Sequence, residues 1–93
     1  MPNTLIDRAI RERKPVRFVY HGKLRVVEPQ CHGRGTRGTE LLRGRQVNGN
    51  EPSERLFDVA HMVDLALLDG HFDGPGPHYR QNDSAMVEAF CRL

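Results

Sequence analysis

The sequence predicts a mainly β protein: five short antiparallel strands in a small, strongly bent sheet or barrel, with a helix at each end. Three observations lead there. Apolar and polar residues alternate with period two in segments such as Val16–Tyr20, as in a half-buried strand. Turn signals at Gly22 and at Asn48-Gly49 separate those segments by short distances. Helical apolar stripes occur only near the two ends of the chain. A chain of 93 residues supports a single small core. Five short strands in one flat sheet would leave long open edges, so bending or closure is expected.

The first helix is predicted over residues 4–13. Thr4 is the candidate cap, and Asp7 lies favourably in the first turn. Leu5, Ile6, Ala9 and Ile10 form the apolar stripe, while Arg8, Arg11 and Arg13 face water. Pro15 should end it, because the residue before a proline is pushed out of the α region. Val16, Phe18 and Tyr20 then share one face of a first strand, and His21-Gly22-Lys23 makes the turn, with Gly22 at positive φ. A second strand runs from Leu24 to Glu28 and should stop at Pro29, which has no N–H for a ladder. Gln30–Gly38, with three glycines and two arginines, reads as a basic loop.

Thr39–Val47 is the third strand and turns at Asn48-Gly49 into a fourth, Glu54–Val59. Val63–Leu68 is the fifth, and its dense apolar content predicts burial on both faces. Residues 69–79 contain three glycines and two prolines and cannot be regular structure. Asp83 then caps a short final helix, Ser84–Arg92, with Met86, Val87, Phe90 and Cys91 on its apolar side.

Composition narrows the function classes. No apolar run approaches the ~20 residues of a membrane helix, and the N-terminal stretch has no apolar core typical of a signal peptide. A cytoplasmic location is the resulting expectation. Cys31 and Cys91 stand in no motif and read as separate reduced thiols. The net charge of +2 hides an asymmetry. Residues 1–55 hold twelve of the fourteen Lys and Arg against six acids, giving +6; residues 56–93 hold two against six, giving −4. Part of the surface can therefore be basic enough for an anionic partner, although the whole is not that of a dedicated nucleic-acid binder.

Several segments together resemble the WYL domain family over about residues 4–72. "LIDRAIRERKPVRFVYHG" is similar to that family's opening helix and first strand, and "YHGKLRVVEP" to its second hairpin. "LLRGRQVNGN" resembles the Leu-x-Gly segment, "RLFDVAHM" the Arg-rich motif of the fourth strand, and "LALLDGHF" the closing strand. The resemblance implies an Sm-like β-barrel over residues 1–72, followed by a Pro/Gly-rich linker and helix over residues 73–93. It also implies a regulatory, ligand-sensing role in bacterial-type transcription, with nucleic acid or a nucleotide held by basic residues. The naming tripeptide is replaced by Glu40-Leu41-Leu42, and Asp58 stands where the family carries an arginine. The implied contacts carry over to Arg55 and, more weakly, to His61. Only three residues precede the first helix, so no helix-turn-helix domain is expected ahead of it in this sequence.

The candidate ligand-binding set is therefore Arg55, Arg43, Arg45, His61, Arg25 and Tyr20. Arg43 and Arg45 share one strand face, and the hairpin is expected to bring Arg55 beside them. Such a cluster needs an anion or nearby carboxylates, with Glu51 and Glu54 available; a solvated edge with arginine stems over the barrel wall explains the pair equally. Gly44 reads first as a bulge or sharp bend. The five histidines lack the spacing of a zinc site, and no serine, cysteine or carboxylate pair stands in a catalytic context. No enzyme activity, cofactor or metal is expected. The alternative function is self-association, as a homodimer through the barrel edge or the C-terminal helix, with no small ligand.

Overall fold

The computed structural model describes residues 3–93. Asn3, not Thr4, caps the first helix, α1 (Thr4–Glu12): its Oδ1 accepts from the Leu5 N–H at 3.0 Å. Arg13 ends α1 in the left-handed conformation, φ 54°, before Pro15 is reached. The Lys14 N–H then bonds back to the Ala9 carbonyl at 2.9 Å, as in a Schellman closure.

Six strands follow: β1 (Val16–Tyr20), β2 (Lys23–Arg34), β3 (Glu40–Gln46), β4 (Ser53–Asp58), β5 (Val63–Leu67) and β6 (Glu88–Arg92). All pairs are antiparallel, in the order β4-β3-β2-β1-β5, with β6 also on β2. Gly22, at φ 77°, makes the β1–β2 turn with His21 at φ 50°. Ile6, Ala9 and Ile10 of α1 pack on Val16, Phe18, Val27, Leu42 and Phe57 from four strands, forming the core. Burying each such side chain contributes about 1.5–3 kcal/mol.

Several expectations change. The sheet is open rather than a closed barrel: β4 and β5 end the strand order, and no pairing joins them among the described residues. The ladder of β5 to β1 is interrupted by a register shift between Arg17 and Val19, and Asp64 sits at φ 57°. An interrupted strand gives β4 no straight run on which to close. Nor is β5 buried on both faces, since Val63 is 55% exposed. Pro29 does not stop β2, which continues through it to Arg34. Along one edge Pro29 lies between Val27, paired with β1, and Cys31, paired with β6; on the other it stands beside a register shift against β3. A missing N–H is tolerated in such a gap.

The predicted C-terminal helix is instead β6, seated on the second half of β2. Gly33 permits this approach, because a Cβ there would collide with the Glu88 carbonyl oxygen. Residues 73–93 thus return a strand to the main sheet. Between Leu67 and β6 the Pro/Gly-rich segment forms an irregular strap. Its Phe72 N–H bonds to the Arg13 carbonyl at 2.9 Å, its Gly76 N–H to Gln30 Oε1 at 3.0 Å, and its Tyr79 hydroxyl to the Leu93 carbonyl at 2.6 Å.

Six residues, Asn48-Gly49 among them, join β3 to β4 in an antiparallel hairpin. The Asn48 amide accepts from Val26 N–H at 2.8 Å and donates to the Leu24 carbonyl at 2.7 Å, extending β3's pairing with β2 by a side chain.

Candidate functional site

Residues directly opposite in an antiparallel ladder point to the same side. Leu42 opposes Phe57, Gly44 opposes Arg55, and Gln46 opposes Ser53, so Arg55 lies on the core side of the sheet. Arg43 opposes Leu56 and Arg45 opposes Glu54, so both lie on the outer side. The expected cluster of Arg43, Arg45 and Arg55 therefore does not form: the period of two divides it between faces.

On the outer face the arginines meet carboxylates. Arg43 makes a two-pronged pair with Asp83 of the strap, Nε to Oδ2 at 2.8 Å and Nη2 to Oδ1 at 3.2 Å. The hydrogen bond from Arg43 holds the Asp83 carboxyl below its usual range, and the reciprocal bond raises Arg43. Arg45 lies 3.9 Å from Glu28. Cys31 is buried beneath the strap, and that burial pushes its thiol up. Cys31 and Cys91 are both free.

The core-side rim is different. Arg25 opposes Phe18 on the turn side of the β1–β2 hairpin, with its guanidinium 5.7 Å from the centre of the Tyr20 ring. Arg25 donates to Gln46 Oε1 at 3.1 Å and to the Tyr20 carbonyl at 3.4 Å, while its Nε is shut off from water without a partner. Arg55 is exposed and donates only to Ser53 Oγ, at 3.1 Å. Gln46 and Ser53 are cross-strand partners, so the two guanidiniums anchor on neighbouring residues of one face. Among the described residues, no ion pair joins either guanidinium to a carboxylate. Tyr20 stacks edge-on against Phe57 and accepts the Asp58 N–H at its hydroxyl, 3.0 Å away. His61 lies exposed on the 3₁₀ turn Val59–His61, with its ring centre 5.8 Å from that of His21, which in turn packs on Tyr20. Its Nε2 is 3.6 Å from Asp58.

Of the six candidates, then, Arg25, Arg55, Tyr20 and His61 gather at the rim, and Arg43 and Arg45 hold the strap side. One polar cluster has no counterpart in the sequence reading. His32 is fully buried, with Nδ1 2.7 Å from Asp7 and Nε2 2.5 Å from Glu40. Glu40 also accepts the Asn3 N–H at 2.7 Å, so one imidazole ties α1, β2 and β3 together. Its signal in the sequence was a lone histidine between glycine-rich residues, far in sequence from Asp7. No group of three or more His, Cys, Asp or Glu suited to a metal occurs among the described residues. No helix among them is long and apolar enough to cross a membrane.

Compared with known proteins, the chain matches no family model, no curated protein and no solved structure.

Proposed function

We propose that this chain is a regulatory binding module for an anionic ligand, a nucleotide or a stretch of nucleic acid, acting in transcriptional regulation and not in catalysis. One observation carries the reading: Arg25 and Arg55 share the core-side rim, and among the described residues no carboxylate pairs with either. A phosphate would supply that charge, and the planar guanidinium suits it. The Tyr20 ring under Arg25 fixes the fork, and His61 adds a further donor at the same end. The WYL resemblance supports the assignment of Arg55 and His61, and α1 ahead of a bent antiparallel sheet is in keeping with an Sm-like frame. Arg43 and Arg45 leave this rim's binding set, because the register places both on the opposite face, where Asp83 engages the first.

Fluorescence anisotropy with labelled single-stranded oligonucleotides and cyclic nucleotides at low salt tests the reading. Binding should weaken steeply as salt rises. Arg55→Ala and Arg25→Ala should each weaken it at least about tenfold, the loss of a charge-assisted contact. Absence of binding to both ligand classes at low salt would sink the proposal.

A second reading is favoured by the two open edges. β4 and β5 each present an unpaired side, with Leu56 39% and Val63 55% exposed. Pairing of these edges between copies would give a homodimer or larger assembly. Light scattering that shows only monomer at tens of micromolar would exclude it.

A further inference from the structure

We infer that the cavity between the strap and the outer face of β3 and β4 is a binding site for a free α-amino acid. This site lies on the other side of β4 from the Arg25–Arg55 rim and does not depend on the anion reading.

The cavity has a volume of about 490 Å³ and is bounded by Arg45, Glu54, Pro52, Gly76, Pro77 and His78. That is within the usual range for small-ligand pockets, roughly 300–1,000 Å³. A smaller recess of about 150 Å³ adjoins it, sharing Glu54 and His78 and ending on the Arg43–Asp83 pair.

The floor is dipolar. Arg45 and Glu54 are direct cross-strand partners on this face, yet no ion pair joins them among the described residues. Arg45 leans toward Glu28, and that contact, at 3.9 Å, is too long to satisfy its fork. The Glu54 carboxylate lines both cavities, and its Oε2 is shielded from water with no donor. Arg43, whose guanidinium feels the Glu54 charge, gives its hydrogen bonds to Asp83. Behind Gly76 the buried Gln30 uses its Oε1 on the strap and leaves its Nε2 unpartnered.

A carboxylate lacking a donor beside a guanidinium lacking a close acceptor calls for a ligand bearing both charges a few ångströms apart. An ammonium and a carboxylate on one carbon have that spacing. The ammonium pairs with Glu54 and the carboxylate with Arg45, which neutralises both without rearranging the sheet. The rings of Pro52 and Pro77 wall the remaining space, which favours an uncharged, apolar side chain. A mononucleotide fits less well, since its phosphate would face Glu54 as well as Arg45.

The test is a thermal-shift and calorimetry series on the whole chain with leucine, valine, phenylalanine, aspartate and lysine, each at millimolar concentration. At least one apolar amino acid should raise the midpoint by about 4–8 °C, as about 1 kcal/mol of ligand stabilisation does in a domain this size. Its N-acetyl derivative, which lacks the ammonium, and its methyl ester, which lacks the carboxylate, should each bind at least about tenfold more weakly. Glu54→Gln should weaken the free amino acid to the same degree. The derivatives are read on the unaltered protein, so the result stands even if a variant folds poorly. Failure of all five amino acids to bind, or equal binding of the blocked derivatives, would overturn the assignment.

Discussion

Two kinds of polar site sit within a few strands of each other, and they differ in whether their charges are answered. His32 faces a carboxylate at each ring nitrogen, and Arg43 is gripped at two atoms by Asp83. Among the described residues, Arg25 and Arg55 have an amide, a carbonyl and a hydroxyl as acceptors and no carboxylate. Removing one member of a buried hydrogen-bonded network leaves its partners unsatisfied and is costly, whereas an exposed cation contributes little to folding. The paired sites therefore hold the structure together. The unpaired ones carry little of the folding stability.

The largest break should come from His32→Ala, which leaves Asp7 and Glu40 facing each other without the imidazole. The loss of two buried hydrogen bonds to carboxylates, with the cavity left behind, should cost about 3–5 kcal/mol in denaturant unfolding, and a loss below about 1 kcal/mol would place His32 among the dispensable contacts. Asp83→Asn should follow, at about 1–3 kcal/mol, because Arg43 then lacks its charged acceptor. The same variant should expose Cys31 to thiol reagents, which its burial otherwise slows, and reactivity measured with a coloured disulfide reagent checks this.

Acid should erase that second difference. The Asp83 pKa is lowered in the folded state from 3.8, so its contribution is fully present above the unfolded value and is lost as pH falls through the folded one. The stability gap between the unaltered chain and Asp83→Asn should therefore be widest near neutrality and close below about pH 3.8. A gap that is constant down to the acid limit would show that the pair is not what Asn disrupts. The smallest folding effect belongs to Arg55→Ala, within about 0.5 kcal/mol of the parent. If Arg55 meets a phosphate, the same change should lower the slope of log affinity against log salt by about 1.

Much of this arrangement was legible along the chain, where the controlling forces are local. α1 and the β1–β2 turn follow from the apolar stripe and Gly22, because both depend on a few consecutive residues. The strap follows equally from its glycines and prolines. What the sequence concealed was decided between distant segments. Pro29 stops a strand only where its ladder partner is needed, and here it falls between β1 and β6. Residues 84–92 carry a helical apolar pattern, yet the vacant edge beyond Pro29 captures Glu88–Arg92 as β6. Gly33 was the available clue: it is glycine to admit another backbone, not to turn the chain. The arginine cluster fails to form for a simpler reason. Alternation along β3 places Arg43 and Arg45 on one face, but the register sets Arg55 opposite Gly44, on the other. Asp7, His32 and Glu40 could not be joined at all without the three-dimensional placement of α1.

The seating of β6 has a consequence for how the molecule is made. Residues 31–34 of β2 receive β6 only after the intervening strands have been synthesised, and Cys91 reaches back to the Asp7 carbonyl across 84 positions. Until then a nascent chain carries a half-dressed strand, with Cys31 and His32 exposed at its edge. Contacts of such long range form late and slowly. The interval before they form is the time when a neighbouring nascent chain can take the place of β6.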